Sequence, residues 1–167
     1  MATGLDSFAL LAVPLFILSG QIMNSGGIAG RLIQFAKTLV GFLPGGLALI
    51  NIISAMLMGA ISGSAMASAS AMGSVLGPEM EKEGYSKDFG VAVNITSATT
   101  GLIIPPSNVL IVYSLASGGV SVGALFLAGY IPGILTGLLL MLVALFWSKK
   151  NKYKIGNRST LKEIMAS

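Results

Sequence analysis

The residues best suited to bind an ion or an anion lie at two breaks in otherwise apolar sequence. One break is Ser62-Gly63-Ser64 and the other is Pro105-Pro106-Ser107. An interrupted helix leaves unpaired carbonyl oxygens where its first half ends and unpaired amides where its second half begins. Such oxygens suit a hard cation such as sodium, and helix-start amides suit a carboxylate. Because secondary transporters build their sites from paired breaks, we predict one shared ion and substrate site at these six residues.

Hydroxyl side chains also gather just before the second break. Ser97 and Thr100 lie within about two turns of the prolines and are predicted to reach the gap. At the first break, Ser62 and Ser64 are the predicted sodium ligands. Asn108 follows the second break and fits either a binding or a packing role. The alternative role for Ser97, Thr100 and the other polar groups before the second break is hydrogen bonding to backbone carbonyls or neighbouring helices, worth about 0.6 kcal/mol each.

Each break also has a purely structural explanation. Of the 16 residues from Gly59 to Ser74, 13 are Gly, Ala or Ser, and such residues let helices pack closely. The double proline would by itself explain a kink, because neither proline can donate a backbone hydrogen bond. The presence of two breaks, each containing a serine, favours a binding site over these alternatives.

The composition excludes several classes of chemistry. The chain has no Cys and no His, so disulfides, thiol catalysis and imidazole-based metal or proton chemistry are excluded. Its six acids lie at or outside the predicted membrane boundaries, which leaves no carboxylate for a proton relay and favours sodium as the coupling ion. Paired acids, a Ser-His arrangement and a phosphate-binding Gly-Lys-Ser/Thr loop are also missing. We therefore predict that the chain is not an enzyme and uses no cofactor besides the sodium ion.

The hydrophobicity of the chain predicts an all-α integral membrane protein. Of its 167 residues 54% are hydrophobic and 10% charged, against about 25% charged in soluble domains, and the mean hydropathy is +0.86. The pattern predicts these elements in order: a first span over 5–23, an amphipathic helix over 28–42, a re-entrant hairpin over 45–77, a solvated loop over 78–88, a membrane segment over 89–104, a helix over 107–117 and a last crossing over 121–147.

The elements group into four regions. These are a scaffold (1–44), a transport-domain half with the hairpin and the proline-broken helix (45–118), a last transmembrane helix (119–148) and a basic tail (149–167). A re-entrant hairpin puts all ten Lys and Arg on one face of the membrane, which the positive-inside rule assigns to the cytoplasm. Six of the ten follow Trp147, where they resemble a membrane-flanking anchor on lipid rather than a nucleic-acid site.

Several short motifs, in order along the chain, resemble one known family. It is the large membrane subunit (the DctM-like M subunit) of tripartite ATP-independent periplasmic, or TRAP, transporters, and the resemblance covers nearly everything from residue 4 to about residue 154. The matching motifs are Gly4-Leu5-Asp6-Ser7-Phe8, Phe16-Ile17-Leu18-Ser19-Gly20 with Met23-Asn24-Ser25-Gly26-Gly27-Ile28, Gly59-Ala60-Ile61-Ser62-Gly63-Ser64-Ala65, Glu83-Gly84-Tyr85, Ile103-Ile104-Pro105-Pro106-Ser107, and Ser121-Val122-Gly123-Ala124-Leu125-Phe126-Leu127-Ala128-Gly129.

The resemblance implies a function and partners that the residues alone do not. Members of this family resemble sodium-coupled elevator transporters that import organic acids across the bacterial inner membrane. A periplasmic solute-binding protein delivers the substrate, and a small membrane subunit braces the scaffold. The family is built from two inverted repeats, each with a hairpin and a broken helix. Here the hairpin tip and the proline break would be the first repeat's share of the site.

The length of the chain departs from that family pattern. No second hairpin and break follow Trp147, so we expect a fragment or a split subunit that covers the first inverted repeat. The substrate class stays open between a C4-dicarboxylate and a sugar acid. The alternative function is a scaffold or assembly subunit of a membrane complex, with small residues that serve helix contacts and no transport site.

Overall fold

The described part of the chain is entirely helical. The computed structural model describes residues 8–153, apart from the side chains of 8–13, 16, 23 and 24, and within that range it contains seven helices and no strand. The helices are α1 (Phe8–Ser25), α2 (Ile28–Val40), α3 (Gly46–Ser62), α4 (Ala65–Lys82), α5 (Lys87–Gly101), α6 (Asn108–Ala116) and α7 (Val122–Lys150). The all-α prediction is confirmed. The tail after residue 153 and the start of the predicted first span lie outside the described residues.

Helix α7 has the features of a membrane-spanning helix. Its 29 residues extend about 44 Å, which exceeds the roughly 30 Å hydrocarbon core of a bilayer. Among the residues whose side chains are described, it is the one helix long and apolar enough to cross a membrane. Its buried face carries small residues such as Gly129 and Gly133, whereas Ile131 is 77% exposed and Phe146 is 71% exposed. In a membrane helix, small residues are expected where it packs on other helices, and large apolar residues are expected where it faces lipid.

The small-residue stretch folds as a helical hairpin, as predicted. Helix α3 ends where Gly63 takes a left-handed conformation (φ 62°, ψ 17°), and Ser64 is extended at the start of α4. The two arms lie side by side after the chain reverses at residues 63–64. The Ser68 hydroxyl of α4 donates to the Ala55 carbonyl oxygen of α3 at 2.7 Å. The predicted break at residues 62–64 is therefore confirmed. The re-entrant placement of the hairpin stays a prediction.

The second predicted break is also present, but it begins before the prolines. Helix α5 ends at Gly101, and the next two residues, Leu102 and Ile103, form tighter turns before the cis Pro105-Pro106 peptide bond. In a continuing helix the amides of residues 105 and 106 would bond to the carbonyls of residues 101 and 102, and prolines have no amide hydrogen to give. Helix α6 starts anew at Asn108.

The predicted solvated loop over 78–88 is wrong at both ends. Helix α4 runs through Pro78 to Lys82, because Leu76 and Met80 lie one turn apart and are both buried. Burial of that face outweighs the single backbone hydrogen bond that the proline removes. Helix α5 begins at Lys87, capped by Ser86, whose hydroxyl accepts from the Phe89 amide at 3.4 Å.

Two apolar clusters fix the hairpin between its neighbours. One joins α2, α3 and α4 around Ile33, Met58 and Met72. The other joins α3, α5 and α7 around Ile52 and Val93. Other apolar residues of the predicted amphipathic helix lie outside this core: Phe35, Leu39 and Phe42 are between 40% and 52% exposed. Helix α2 thus packs through Ile33 and Ala36, with Leu32 beside them, and presents Phe35 and Leu39 outward.

Candidate functional site

The hairpin tip and the start of α6, which follows the second break, meet at one cavity, which we call the tip cavity. It has a volume of about 350 Å³ and lies between α1, the hairpin tip and the start of α6. Its lining consists of Ile17, Gly20, Gln21, Ser62, Gly63, Ser64, Ala67 and Asn108. All three predicted residues of the first break are therefore in the wall, with a side chain that directly follows the second break.

The hydroxyl groups of the hairpin tip already have internal partners. Ser62 Oγ donates to the Ser64 carbonyl oxygen and accepts from the Ser64 amide, both at 3.3 Å. Ser64 Oγ accepts from the Ala67 amide at 3.2 Å and so caps α4. A serine hydroxyl oxygen has two lone pairs, so both side chains keep acceptor capacity toward the cavity. This cap satisfies one of the unpaired amides in the first turn of α4. The remaining unpaired amides give the hairpin tip a positive electrostatic potential.

The Asn108 side chain contributes an unpaired acceptor. Asn108 is 9% exposed, and its Oδ1 atom has no hydrogen-bond partner among the described residues. A buried acceptor without a partner costs about 1–3 kcal/mol, so such groups in folded proteins usually mark a bound water, ion or ligand. Since Oδ1 accepts only, its missing partner is a cation or a donor. Ser107 Oγ is likewise buried and unpaired, although Ser107 does not line the cavity.

Ser97 and Thr100 lie away from the tip cavity, inside the protein. The Ser97 hydroxyl donates to the Val93 carbonyl oxygen at 2.6 Å, and the Thr100 hydroxyl donates to the Thr96 carbonyl oxygen at 2.8 Å. Both are buried, and neither is in the cavity wall. These bonds match the alternative role that the sequence left open, and a role for the two residues in binding stays a prediction.

The two prolines shape the backbone rather than line the cavity. Pro105 is buried against α7, where an added Cβ on Gly129 would lie 3.6 Å from its Cδ and 2.5 Å from the Ile103 carbonyl oxygen. Pro106 is exposed. The interrupted segment is thus held on α7, which fixes the start of α6 and therefore Asn108.

Close backbone contacts hold the hairpin tip at this position. An added Cβ on Gly20 of α1 would lie 3.0 Å from Ser62 Cα, and one on Gly59 of α3 would lie 2.9 Å from Gly101 Cα. Side chains other than hydrogen do not fit at such distances. Gly59 therefore serves close helix packing, which was the structural explanation offered for this small-residue stretch. The residues of the tip itself face the cavity.

Sequence reasoning missed two features of the site. Gln21 was not among the predicted site residues, but it is exposed and lies in the wall of the tip cavity. Sequence reasoning also missed the glycine row of α7, at residues 129, 133 and 137, where α7 meets the second break and α3. The four-residue spacing of these glycines was a usable signal, since it places them on one helix face.

A cavity between a helical hairpin and an interrupted helix, in a strongly apolar helical chain, is an arrangement typical of membrane transport proteins. Comparison with known proteins agrees. All of residues 1–167 match the family model described as the DctM component of tripartite ATP-independent periplasmic transporters, and the chain belongs to this family. The family resemblance predicted from the sequence is confirmed. The family consists of transport proteins, which also confirms that the chain is not an enzyme.

Similar proteins are found in several bacteria. The chain is 58% identical to the uncharacterized protein YgiK of Salmonella typhimurium over 99% of its length. It is 43% identical over 97% to the C4-dicarboxylate TRAP transporter large permease protein DctM of Pseudomonas aeruginosa, and 41% identical over 100% to the sialic acid TRAP transporter large permease protein SiaM of Vibrio cholerae. The chain spans 38%, 38% and 39% of the lengths of these relatives, respectively.

Proposed function

We propose that the chain is part of the permease component of a secondary, sodium-coupled importer of organic acids that depends on a binding protein. The observation that carries the proposal is that Asn108, whose Oδ1 atom is buried and unpaired, lines the same cavity as the Ser62-Gly63-Ser64 tip. In this proposal sodium is bound by neutral oxygens of Ser62, Ser64 and Asn108. No carboxylate belongs to the described lining of the cavity, so the ion supplies the positive charge that an anion then needs.

Two helix starts support binding of an organic anion at the same place. Helix α4 begins at the tip, and α6 begins at Asn108, which lies in the cavity wall. Each helix N-terminus carries roughly half a positive charge, so a carboxylate meets two favourable potentials. The named substrates of the relatives, a C4-dicarboxylate and sialic acid, are organic acids of this kind. We propose a carboxylate substrate of that class, without a choice between the two.

The proposal extends to assembly and location. The family name describes a tripartite periplasmic system, so we propose a small TRAP membrane subunit and a periplasmic solute-binding protein as partners. We place the chain in the bacterial inner membrane as a multi-pass protein with its basic loops and tail in the cytoplasm. The exposed apolar faces of α7 and α2 are available for lipid and for these partners. Within this arrangement the re-entrant hairpin and the broken helix form half of an elevator-type transport domain.

The second candidate is a scaffold subunit without a site, favoured by the close glycine crossing of α3 and α5. One experiment separates the two. The chain has no cysteine, so Ser64→Cys adds a single thiol to it at the tip, and modification of this residue is followed in the full transporter complex. If sodium binds there, sodium should slow thiol modification relative to potassium, and Ser70→Cys on the exposed side of α4 should show no such difference. Equal rates in both salts at residue 64 would reject the proposed site.

A further inference from the structure

We propose that a second cavity, between α5 and α7, binds a zwitterionic phospholipid with an ammonium headgroup, such as phosphatidylethanolamine. This α5–α7 cavity has a volume of about 510 Å³, within the roughly 300–1,000 Å³ range of ligand sites. Its walls are apolar side chains from three helices, including Ile52 of α3, Val93 of α5 and Val143 of α7. It shares no lining residue with the tip cavity, so this inference is independent of the proposed transport site.

The polar groups of the lining point to an amphiphile. Ser86 Oγ already accepts from the Phe89 amide at 3.4 Å, and Thr96 Oγ1 already donates to the Ala92 carbonyl oxygen at 2.7 Å. Asp88 is the charged residue of the lining. One carboxylate on a mostly apolar cavity attracts a molecule with a cationic group and a hydrocarbon chain. The same carboxylate disfavours the organic anions proposed for the tip cavity.

Opposite charges flank one end of the cavity. Asp88 lies in the first turn of α5, and Trp147 lies near the last turn of α7, so both belong to the same end. Phe89 stacks on Trp147 with ring centroids 6.2 Å apart, and Lys150 Nζ lies 5.8 Å from the Trp147 ring centroid. A headgroup with its ammonium at Asp88 and its phosphate toward Lys150 matches both charges. A headgroup without an ammonium, such as that of phosphatidylglycerol, would leave the Asp88 carboxylate without a cationic partner.

The depth of the cavity suits part of an acyl chain. From Asp88 the lining follows α5 to Thr96, eight residues or about 12 Å of helix, and on α7 it runs from Trp147 back to Leu140. The aromatic and lysine residues at its charged end are those that anchor proteins at a membrane surface. The headgroup is thus expected at the surface, and the hydrocarbon chain between the helices.

A photoreactive side chain provides the test. A diazirine-bearing residue replaces Val143 in the full transporter complex, reconstituted in vesicles of phosphatidylethanolamine and phosphatidylglycerol. The matched control replaces Leu142, which is 60% exposed and outside the lining. After illumination, the residue 143 product should contain phosphatidylethanolamine at least threefold above its share in the vesicle. The residue 142 product should follow the vesicle composition.

Further variants test separately where the lipid headgroup binds and where the acyl chain binds. Asp88→Asn should remove the preference for phosphatidylethanolamine at residue 143 and leave labelling at residue 142 unchanged. Ala92→Phe, which fills the cavity, should reduce lipid labelling at residue 143, whereas Val91→Phe, outside the lining, should not. A crosslink from residue 143 to a peptide would show that protein fills the cavity and would overturn the proposal. Equal lipid ratios at residues 143 and 142 would overturn it as well.

Discussion

Gly59 of α3 and Gly101 of α5 touch backbone to backbone where the two helices cross. A Cβ added to either residue would lie 2.9 Å from the Cα atom of the other. On the Gly101 side, the carbonyl oxygens of Ala55 and Met56 would also lie within 3.0 Å. The obstacles are backbone atoms, so no side-chain rotation relieves the clash. This crossing sets the distance between the hairpin and the second break and therefore the shape of the tip cavity.

Gly101→Ala should therefore destabilise the protein, by about 1–3 kcal/mol, because it overpacks a backbone contact. The matched control is Gly77→Ala in α4, where an added Cβ meets nothing within 4 Å and alanine favours the helix by roughly 0.5–1 kcal/mol. Thermal unfolding in detergent checks both. A Gly101→Ala protein that melted at or above the temperature of the unmodified protein would contradict the role assigned to this crossing.

A second glycine contact should hold the proline break on α7. Gly129→Ala would put a methyl group 2.5 Å from the Ile103 carbonyl oxygen, again a backbone atom. We expect a loss of about 1–3 kcal/mol in the free energy of unfolding. Gly123→Ala on the same helix meets only the Ser121 hydroxyl at 3.7 Å, an ordinary contact.

The two variants also separate a local from a global effect. Displacing the break moves Asn108 as well, so Gly129→Ala should weaken sodium binding in the full complex. Gly123→Ala should change neither property. Normal sodium affinity in a destabilised Gly129→Ala protein would show that α7 supports the fold but does not position the site.

The position of the breaks was predictable from sequence, whereas the contacts around them were not. Proline lacks an amide hydrogen and Gly63 lies between two serines, so local chemistry alone interrupts the helices at both places. The end of α4 depends instead on burial of Leu76 and Met80, which outweighs the local signal of Pro78. Gln21 reaches the tip cavity only because α1 packs on the hairpin, a tertiary contact with no local sequence signal.

Stability at alkaline pH should depend on Tyr85, which lies in the polar connection between α4 and α5. Burial, with a further contribution from the charge of Glu83, raises the pKa of Tyr85 from 10.0 to about 12. The folded state thus holds this proton more tightly than the unfolded state does. The resulting stability is fully present below pH 10 and is lost as the pH rises from 10 to 12. A two-unit difference corresponds to at most about 2.7 kcal/mol.

Tyr85→Phe isolates this effect from the lysines that titrate in the same range. The free energy of unfolding of the unmodified protein should fall more steeply between pH 10 and pH 12 than that of the variant. Denaturant unfolding at several pH values measures the difference between the two curves. Parallel curves would mean that the phenol of residue 85 does not titrate differently in the folded and unfolded states.

Removing the Asn108 acceptor should separate binding from stability. Asn108→Leu keeps a side chain of similar size but eliminates the unpaired Oδ1 atom, so the free energy of unfolding should stay the same or rise. Sodium should lose a neutral ligand. We expect its affinity for the full complex to fall at least tenfold, equivalent to about 1.4 kcal/mol, and sodium-driven uptake to fall with it.

The control for this prediction is Thr99→Val. Thr99 is exposed on α5, its hydroxyl donates to carbonyl oxygens of its own helix, and it lies outside the tip cavity. Sodium affinity should be unchanged in that variant. Calorimetric titration with sodium and unfolding in detergent provide the two measurements for each protein. An Asn108→Leu protein with normal sodium affinity would mean that Oδ1 is satisfied by water alone, and a destabilised one would assign the side chain to packing.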